Sequence, residues 1–172
     1  IRATISRPMK DATVRVELHC HSNLSDGAVP PEKLAAVLLE QAATLWIEAH
    51  GWPDPMPDGH AISDNGLLDL LPMLGALIYA RDIGQASAVF HATLVAALTD
   101  WVMQAAKTTG LITLAWGGGC FLNALLTSQL RQNLQHNGIT VLAPVRTSPG
   151  DASIALGQAW VALHSLETTT CV

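Results

Sequence analysis

Hydrophobic and polar positions along the chain predict a few strands set among amphipathic helices. Strict alternation over residues 14–19 and two short uncharged apolar runs, at 111–116 and 139–142, are typical of strands. Elsewhere apolar residues recur every three or four positions, which indicates helices with one buried face. We expect these helices over residues 31–45, 66–80, 85–107, 121–130 and 152–166.

The apolar stripes identify the side chains that should be buried if each helix packs on a core. Asp64 or Asn65 is expected to cap the helix 66–80, and Asp151 the last helix, because such side chains accept backbone N–H groups at helix starts. The predicted inward residues are Leu34, Val37, Leu38 and Leu45 in the first helix, Leu67, Leu70, Leu71, Leu74 and Ile78 in the second, and Ile154, Leu156, Ala159, Trp160 and Leu163 in the last.

Three consecutive glycines, Gly117, Gly118 and Gly119, lie between the strand 111–116 and the helix that follows it. Because glycine lacks a Cβ atom, the backbone of this turn can come close to a ligand. A turn that opens a helix also offers backbone N–H groups and the positive end of the helix dipole, which suits a phosphate group. Glycines serve equally well in tight strand-to-helix turns, so both interpretations stay open.

Several histidines and acids are candidate metal ligands. His19 and His21 flank Cys20 at the end of the first predicted strand, and side chains at i and i+2 of a strand point the same way, so they can hold a metal. The alternative is a pair of exposed loop imidazoles. The loop 51–65 carries further acids and a histidine at irregular spacings, which favours a structural role. His91 lies beside the apolar face of the helix 85–107, which favours a hydrogen-bonded residue at the edge of the core.

Composition limits the classes of function. Apolar residues make up 49% of the 172 residues and charged residues only 13%, which indicates a buried face and possible self-association. The net charge of −5 argues against a nucleic-acid partner. No run of eighteen apolar residues is uninterrupted, so we expect no membrane span. Three cysteines without paired spacing fit the reducing cytoplasm, where we expect the protein to be.

The segments GGGCFLN at 117–123 and SPGDASIALGQAWVA at 148–162 resemble the C-terminal part of the HypF family, the carbamoyltransferases of nickel–iron hydrogenase maturation. Weaker similarity extends over residues 40–166 and includes Gln41–Ala43. The resemblance implies an α/β fold, helix-rich with a small sheet, that forms an incomplete half of an actin/hexokinase-like (Kae1-like) domain related to the tRNA threonylcarbamoyl enzymes. We therefore assign residues 41–172 to this carbamoyltransferase subdomain.

The HypF resemblance also implies a chemistry. The family uses ATP and carbamoyl phosphate to form a carbamoyl-adenylate, and it passes the carbamoyl group to the C-terminal cysteine of an acceptor protein. Carried over to this sequence, Gly117, Gly118 and Gly119 would face phosphates, Asn123 the adenosine, and Asp151 a divalent metal, while no catalytic residue is assigned. The family's metal-binding histidine pair and the other half of its nucleotide site lie upstream of anything in this chain, so independent activity stays open.

Residues 16–35, VELHCHSNLSDGAVPPEKLA, resemble the opening of the PHP metal-dependent phosphoesterases, which begin with a strand, an H-x-H pair and an S-D-G turn. This second resemblance implies a phosphoesterase site on His19, His21 and Asp26. The family's later T-D-H segment is absent. Two family patterns that meet near residue 40 suggest a chimera with a PHP-like segment at 1–40. The hypotheses are therefore a truncated carbamoyltransferase, a phosphoesterase, or an inactive half-domain.

Overall fold

A computed structural model describes residues 2–6, 14–19 and 31–169, with side chains described within 37–165. The strands are β1 (Arg2–Ser6), β2 (Val14–His19), β3 (Ala61–Ile62), β4 (Leu68–Asp69), β5 (Thr113–Gly117) and β6 (Thr140–Leu142). The helices are α1 (Pro31–His50), α2 (Leu71–Leu77), α3 (Ile83–Thr109), α4 (Ala124–His136) and α5 (Ile154–Thr169). Short 3₁₀ turns precede α4 and α5, at Gly119–Leu122 and Asp151–Ser153.

The four strands β1, β2, β5 and β6 form one sheet, in that order. β1 is antiparallel to β2, whereas β2, β5 and β6 are parallel to one another. Glu17 pairs with Gly117, and Ala115 pairs with Leu142, so the C-terminal ends of the three parallel strands lie along one edge of the sheet. The predicted α/β class and the three predicted strands are confirmed, while β1 lies in a segment whose pattern predicted no strand.

Helix α3 forms the centre of the core, as the pattern over 85–107 predicts. Its N-terminus is capped by Asp82, whose Oδ1 accepts the Gln85 N–H at 2.9 Å, and its C-terminus ends at Gly110, whose φ of 74° is left-handed. The core that α3 forms with β5, α4 and β6 contains Val95, Leu98, Trp101, Val102, Leu114, Trp116, Phe121, Leu126, Leu130, Leu134, Ile139 and Val141. This core supports the edge of the sheet at which β5 ends.

Helix α3 is also long and apolar enough to cross a membrane when it is judged by length and composition alone. Most of that apolar surface is buried, and α3 packs chiefly on α1 and α4. A buried core helix meets the same criterion, so the length and composition of α3 are weak evidence for a membrane span.

The helix predicted over 66–80 is wrong in both extent and orientation. Residues 68–69 instead pair with residues 61–62 as a two-stranded ribbon, and the helix begins only at Leu71, followed by Pro72 in its first turn. Proline suits a first turn because its missing N–H would have no helical partner there. Asp69, and not Asp64 or Asn65, binds the helix start, since its Oδ1 accepts the Leu71 N–H at 2.9 Å.

This later start changes the buried face of α2. Leu70 and Met73 are buried, whereas most of the predicted inward residues are exposed. The exposed members of the predicted stripe are Leu67, Leu71, Leu74 and Ile78.

The predicted burial of α5 is also wrong. Ile154, Leu156, Trp160 and Leu163 are exposed, and Trp160 retains 64% of its accessible surface. Among the described residues, α5 packs chiefly on the 3₁₀ turn that precedes it, so no second layer covers its apolar side chains. The predicted helix is therefore present, but the described residues provide no partner for its apolar face.

Helix α1 shows the same departure on a smaller scale. Val37, Leu38 and Leu45 are exposed, while Ala43 is fully buried. α1 packs along α3, and the small Ala43 side chain permits a close approach between the two helices. The exposed Val37, Leu38 and Leu45 therefore do not contribute to the core, and the predicted burial of Leu34 falls on a side chain outside the described ones.

The junction predicted between residues 40 and 41 lies inside α1, which runs without interruption from Pro31 to His50. β1 and β2 precede that helix and belong to the same sheet as β5 and β6. His19 ends β2, whereas His21 and Asp26 lie outside the described residues. The PHP-like segment and its phosphoesterase site stay predictions.

Candidate functional site

The glycine turn at the end of β5 contacts the loop that precedes α5. The Gly118 N–H donates to the Pro149 carbonyl oxygen at 2.6 Å. A Cβ atom on Gly117 would lie 3.7 Å from the same oxygen, and one on Gly150 would lie 3.8 Å from the Gly119 Cα. The two segments that carry the family resemblance, which are about thirty residues apart in sequence, therefore form one surface at the C-terminal edge of the sheet.

Gly118 has a backbone conformation that requires glycine. Its φ of 109° and ψ of 159° lie in a region that is essentially restricted to glycine. The next residue, Gly119, is exposed, and a Cβ atom built on it would meet no atom within 4 Å. The Gly119 N–H makes no hydrogen bond to another described residue. The turn thus presents an accessible backbone donor on its open side.

The first turn of α4 is satisfied from within the protein. The Asn123 side chain caps the helix, because its Oδ1 accepts the Leu126 N–H at 2.9 Å. Glu40 Oε1 accepts the Ala124 N–H at 2.6 Å and lies 3.4 Å from the Leu125 nitrogen. The free N–H groups that the glycine pattern predicted at this helix start are therefore occupied, and that part of the prediction is wrong.

Glu40 is a site residue that the sequence patterns did not identify. It lies on α1 and contacts a helix start 84 residues further along the chain. No local pattern reports a contact of that range. The only available signal was its position directly before Gln41–Ala43, within the segment that resembles the HypF family.

The buried side chain of His91 is hydrogen-bonded to Asn123, the residue that caps α4. Asn123 Nδ2 donates to His91 Nε2 at 2.9 Å, and His91 Nδ1 donates to the Ser87 carbonyl oxygen at 2.7 Å. His91 is 1% exposed, and it is a hydrogen-bonded core residue as predicted. Burial lowers the pKa of His91, while the Ser87 carbonyl and the charge of Glu40 raise it less. The neutral imidazole fits this arrangement, because Nε2 must accept.

Residues 31–158 match the family model described as carbamoyltransferase, Kae1-like domain, second subdomain. The chain belongs to this family. The match confirms the resemblance to the HypF carbamoyltransferases, and the Kae1-like assignment agrees with the helix-rich α/β fold.

Curated relatives and a solved structure agree with the family assignment. Carbamoyltransferase HypF2 of Cupriavidus necator is 46% identical over 109 residues, which cover 63% of this chain and 14% of the relative. A carbamoyltransferase HypF homolog of the same bacterium is 39% identical over 137 residues, which cover 76% of this chain and 34% of the relative. The crystal structure of full-length HypF in the phosphate- and nucleotide-bound form superimposes with a TM-score of 0.64 at 26% identity, over 77% of this chain and 17% of that one. The chain thus spans a minor part of each.

Within this HypF-family subdomain, Asn123 has a structural task whatever else it contacts. Its amide oxygen caps α4 and its amide nitrogen binds His91, so both ends of the side chain are engaged. The contact with adenosine that the family resemblance implies stays a prediction. Such a contact would have to share one of these polar atoms or use the face of the amide group.

Asp151 does not cap the last helix, so the cap prediction is wrong. It is exposed and begins the 3₁₀ turn, and α5 starts three residues later. Serine side chains instead stabilise the turn before α5. Ser153 Oγ donates to the Ser148 carbonyl at 2.6 Å, and the Gly150 N–H donates to Ser148 Oγ at 3.1 Å. Among the described residues, no donor to the Asp151 carboxylate is found.

The described residues assemble no set of metal ligands. Within residues 37–165, no three histidine, cysteine, aspartate or glutamate side chains are grouped closely enough to hold an ion. His60 Nε2 binds Asp100 Oδ2 at 3.0 Å, and His50 Nδ1 bonds to the Trp46 carbonyl at 2.9 Å. Asp151 alone cannot hold a divalent ion tightly, because such ions need several donors. The metal roles of Asp151, His19 and His21 stay predictions.

The lowered pKa of His91 predicts a loss of stability in acid. Below its ordinary value of 6.5, unfolding lets His91 take up a proton that the folded protein does not bind, so the free energy of unfolding falls as the pH falls towards the lowered folded value. His91→Gln should flatten this fall between pH 7.5 and 5, as measured by urea unfolding across about five pH values. The exposed His136 provides the control, and an equal flattening in His136→Gln would contradict the assignment to His91.

Proposed function

We propose that the chain supplies one half of the nucleotide and phosphate site of a HypF-type carbamoyltransferase that acts in nickel–iron hydrogenase maturation. The observation that carries this proposal is the glycine turn Gly117–Gly119, which ends β5, rests on the Pro149 loop and keeps an open backbone donor at Gly119. Membership of the carbamoyltransferase family and the likeness to a HypF that binds phosphate and nucleotide support it.

The residues present fit a phosphate or nucleotide group at this turn. Gly119 leaves room for a ligand against the main chain, and its N–H is a suitable donor to a phosphate oxygen. Gly118 holds the turn in a conformation that only glycine adopts readily. In the proposed reaction, ATP and carbamoyl phosphate provide an activated carbamoyl group, and the turn binds and orients the phosphates. No proton transfer is assigned to any of the described residues.

The proposal extends to partners and location by way of the family. The acceptor would be a maturation protein with a C-terminal cysteine, in the cytoplasm. The net charge of −5 is consistent with a protein and small-molecule role and gives no basis for nucleic-acid binding. The exposed apolar side chains of α1 and α5 are suited to self-association or to contact with another part of the whole enzyme.

The test is direct binding of ATP to the purified chain. We expect Mg²⁺–ATP at millimolar concentration to shift the backbone amide signals of Gly118 and Gly119 in ¹⁵N–¹H spectra, because the proposed contact is made by the main chain. The amide of Gly138, in the turn after α4, is an internal reference that should not shift. A spectrum that is unchanged at the glycine turn would refute nucleotide binding by this chain.

A further inference from the structure

The N-terminus of α4 lies beside the glycine turn and has the features of an anion-binding helix start. Helix N-termini attract anions because their first N–H groups lack helical partners and because the helix dipole is positive there. α4 is 13 residues long, so it is long enough for its peptide dipoles to add up to a positive N-terminal end. In this protein, the carboxylate of Glu40 already binds the N–H groups at the start of α4.

Every N–H group of the first turn of α4 has an acceptor from within the protein. Glu40 serves Ala124 at 2.6 Å and lies 3.4 Å from the Leu125 nitrogen, and Asn123 Oδ1 serves Leu126 at 2.9 Å. The fourth group, the Thr127 N–H, donates to the Asn123 carbonyl at 3.0 Å. An incoming phosphate would have to displace Glu40 and overcome its negative charge before it could bind at this helix start.

The glycine turn, five to seven residues before Ala124 in sequence, has the opposite character. Gly119 is open, and its N–H has no acceptor among the described residues. Of these two neighbouring backbone surfaces, only the start of α4 has a carboxylate bound to its N–H groups.

We propose that Glu40 is a specificity-determining residue, whose carboxylate closes the start of α4 to phosphate and so directs phosphate groups to the glycine turn. The inference rests on the proposed function, since it presumes that this edge of the sheet binds a phosphate-bearing ligand. Glu40 also joins α1 to α4, and Asn123, the residue before Ala124, in turn binds His91 on α3. The same carboxylate thus fixes the position of the helix that follows the turn.

Two substitutions separate the charge of Glu40 from its role as an acceptor. Glu40→Gln keeps an oxygen over the N–H groups of Ala124 and Leu125 but removes the charge. Glu40→Ala removes the acceptor and exposes the helix start. Glu48→Gln is the matched control, because Glu48 lies on α1 as well, is exposed, and is about 12 Å further along the helix axis.

The experiment titrates inorganic phosphate into the ¹⁵N-labelled chain at low ionic strength. In the unsubstituted protein, we expect shifts at Gly118 and Gly119 and none at Ala124 or Leu125. In Glu40→Ala, phosphate should shift Ala124 and Leu125 as well. In Glu40→Gln, the Kd for phosphate at the glycine turn should fall by about two- to fivefold, while Glu48→Gln changes it less than that. High salt should reduce the difference, because the repulsion is electrostatic.

Each other outcome contradicts the role of Glu40. Shifts at Ala124 in the unsubstituted protein would show that the carboxylate does not exclude phosphate, and no shift there in Glu40→Ala would show that the helix start is no anion site. An equal increase in phosphate affinity in Glu40→Gln and Glu48→Gln would show that only the net charge of the protein matters, and not the position of Glu40. Failure of the proposed function looks different, because the glycine turn would then respond to neither ATP nor phosphate in any variant. Should Glu40→Ala not fold, the two glutamine variants alone decide the question.

Discussion

Replacing Leu134 by alanine is expected to lower the free energy of unfolding by about 2–5 kcal/mol. Leu134 is 0% exposed and lies on the face of α4 that packs into the core with α3 and β5. The substitution removes three carbon atoms from a closely packed interior and leaves a cavity. Its carbonyl also accepts the Ile139 N–H at 2.9 Å, so the neighbouring chain has little freedom to fill the space. Urea unfolding followed by far-ultraviolet circular dichroism measures the loss.

Leu122→Ala is the matched control for this prediction. Leu122 is the same residue type, but it lies in the 3₁₀ turn before α4 and is 62% exposed. We expect its replacement to change the free energy of unfolding by about 0.5 kcal/mol or less. Comparable losses in the two variants would show that α4 does not pack as described.

Replacing Gly118 by alanine should abolish or strongly weaken the response to nucleotide. Its φ of 109° and ψ of 159° place an alanine Cβ in strain of about 1–3 kcal/mol, which the turn can relieve only by moving. Because the Gly118 N–H donates to Pro149, a movement here also displaces the loop before α5. We expect the Kd for Mg²⁺–ATP to rise by about tenfold or more, equivalent to about 1.4 kcal/mol. Isothermal titration calorimetry measures this change.

Gly138→Ala separates backbone strain from site geometry. Gly138 also has a positive φ, of 79°, but it lies in the turn between α4 and β6, away from the site. A Cβ atom there would meet no atom within 4 Å, so the substitution introduces strain of about 1 kcal/mol and no collision. Nucleotide binding should be retained in this variant. If both variants lost it equally, Gly118 would have no special role.

The elements that the sequence predicted correctly are those fixed by local chemistry. α3 has an aspartate cap at Asp82, a continuous apolar face and a left-handed glycine at Gly110, so its beginning, body and end are all encoded nearby. β5 and β6 are uncharged apolar runs bounded by turn residues, which is typical of buried parallel strands. The family resemblance implies ligand-binding roles for both the glycine turn and the loop before α5, and the hydrogen bond between Gly118 and Pro149 brings these two segments into contact.

The predictions that failed concern features that depend on which other part of the protein packs against or pairs with a segment. The stripe over 66–80 is compatible with a helix, but pairing with Ala61–Ile62 and the proline in the first turn limit the helix to Leu71–Leu77. Trp160 lies on a correctly predicted helix, yet periodicity gives the direction of an apolar face and not the presence of a partner. Glu40 was not predicted for the same reason, because the N–H group that its carboxylate binds belongs to a helix start 84 residues away in sequence.

The exposed apolar face of α5 affects how the protein responds to temperature. The heat-capacity change of unfolding is proportional chiefly to the apolar surface that unfolding newly exposes to water. Side chains such as Leu156, Trp160 and Leu163 are hydrated before unfolding begins, so they add little to that change. The stability curve of the isolated chain should therefore be flatter than its length implies. The stability curve would become more strongly curved only when another surface covers α5, because unfolding would then newly expose its apolar side chains to water.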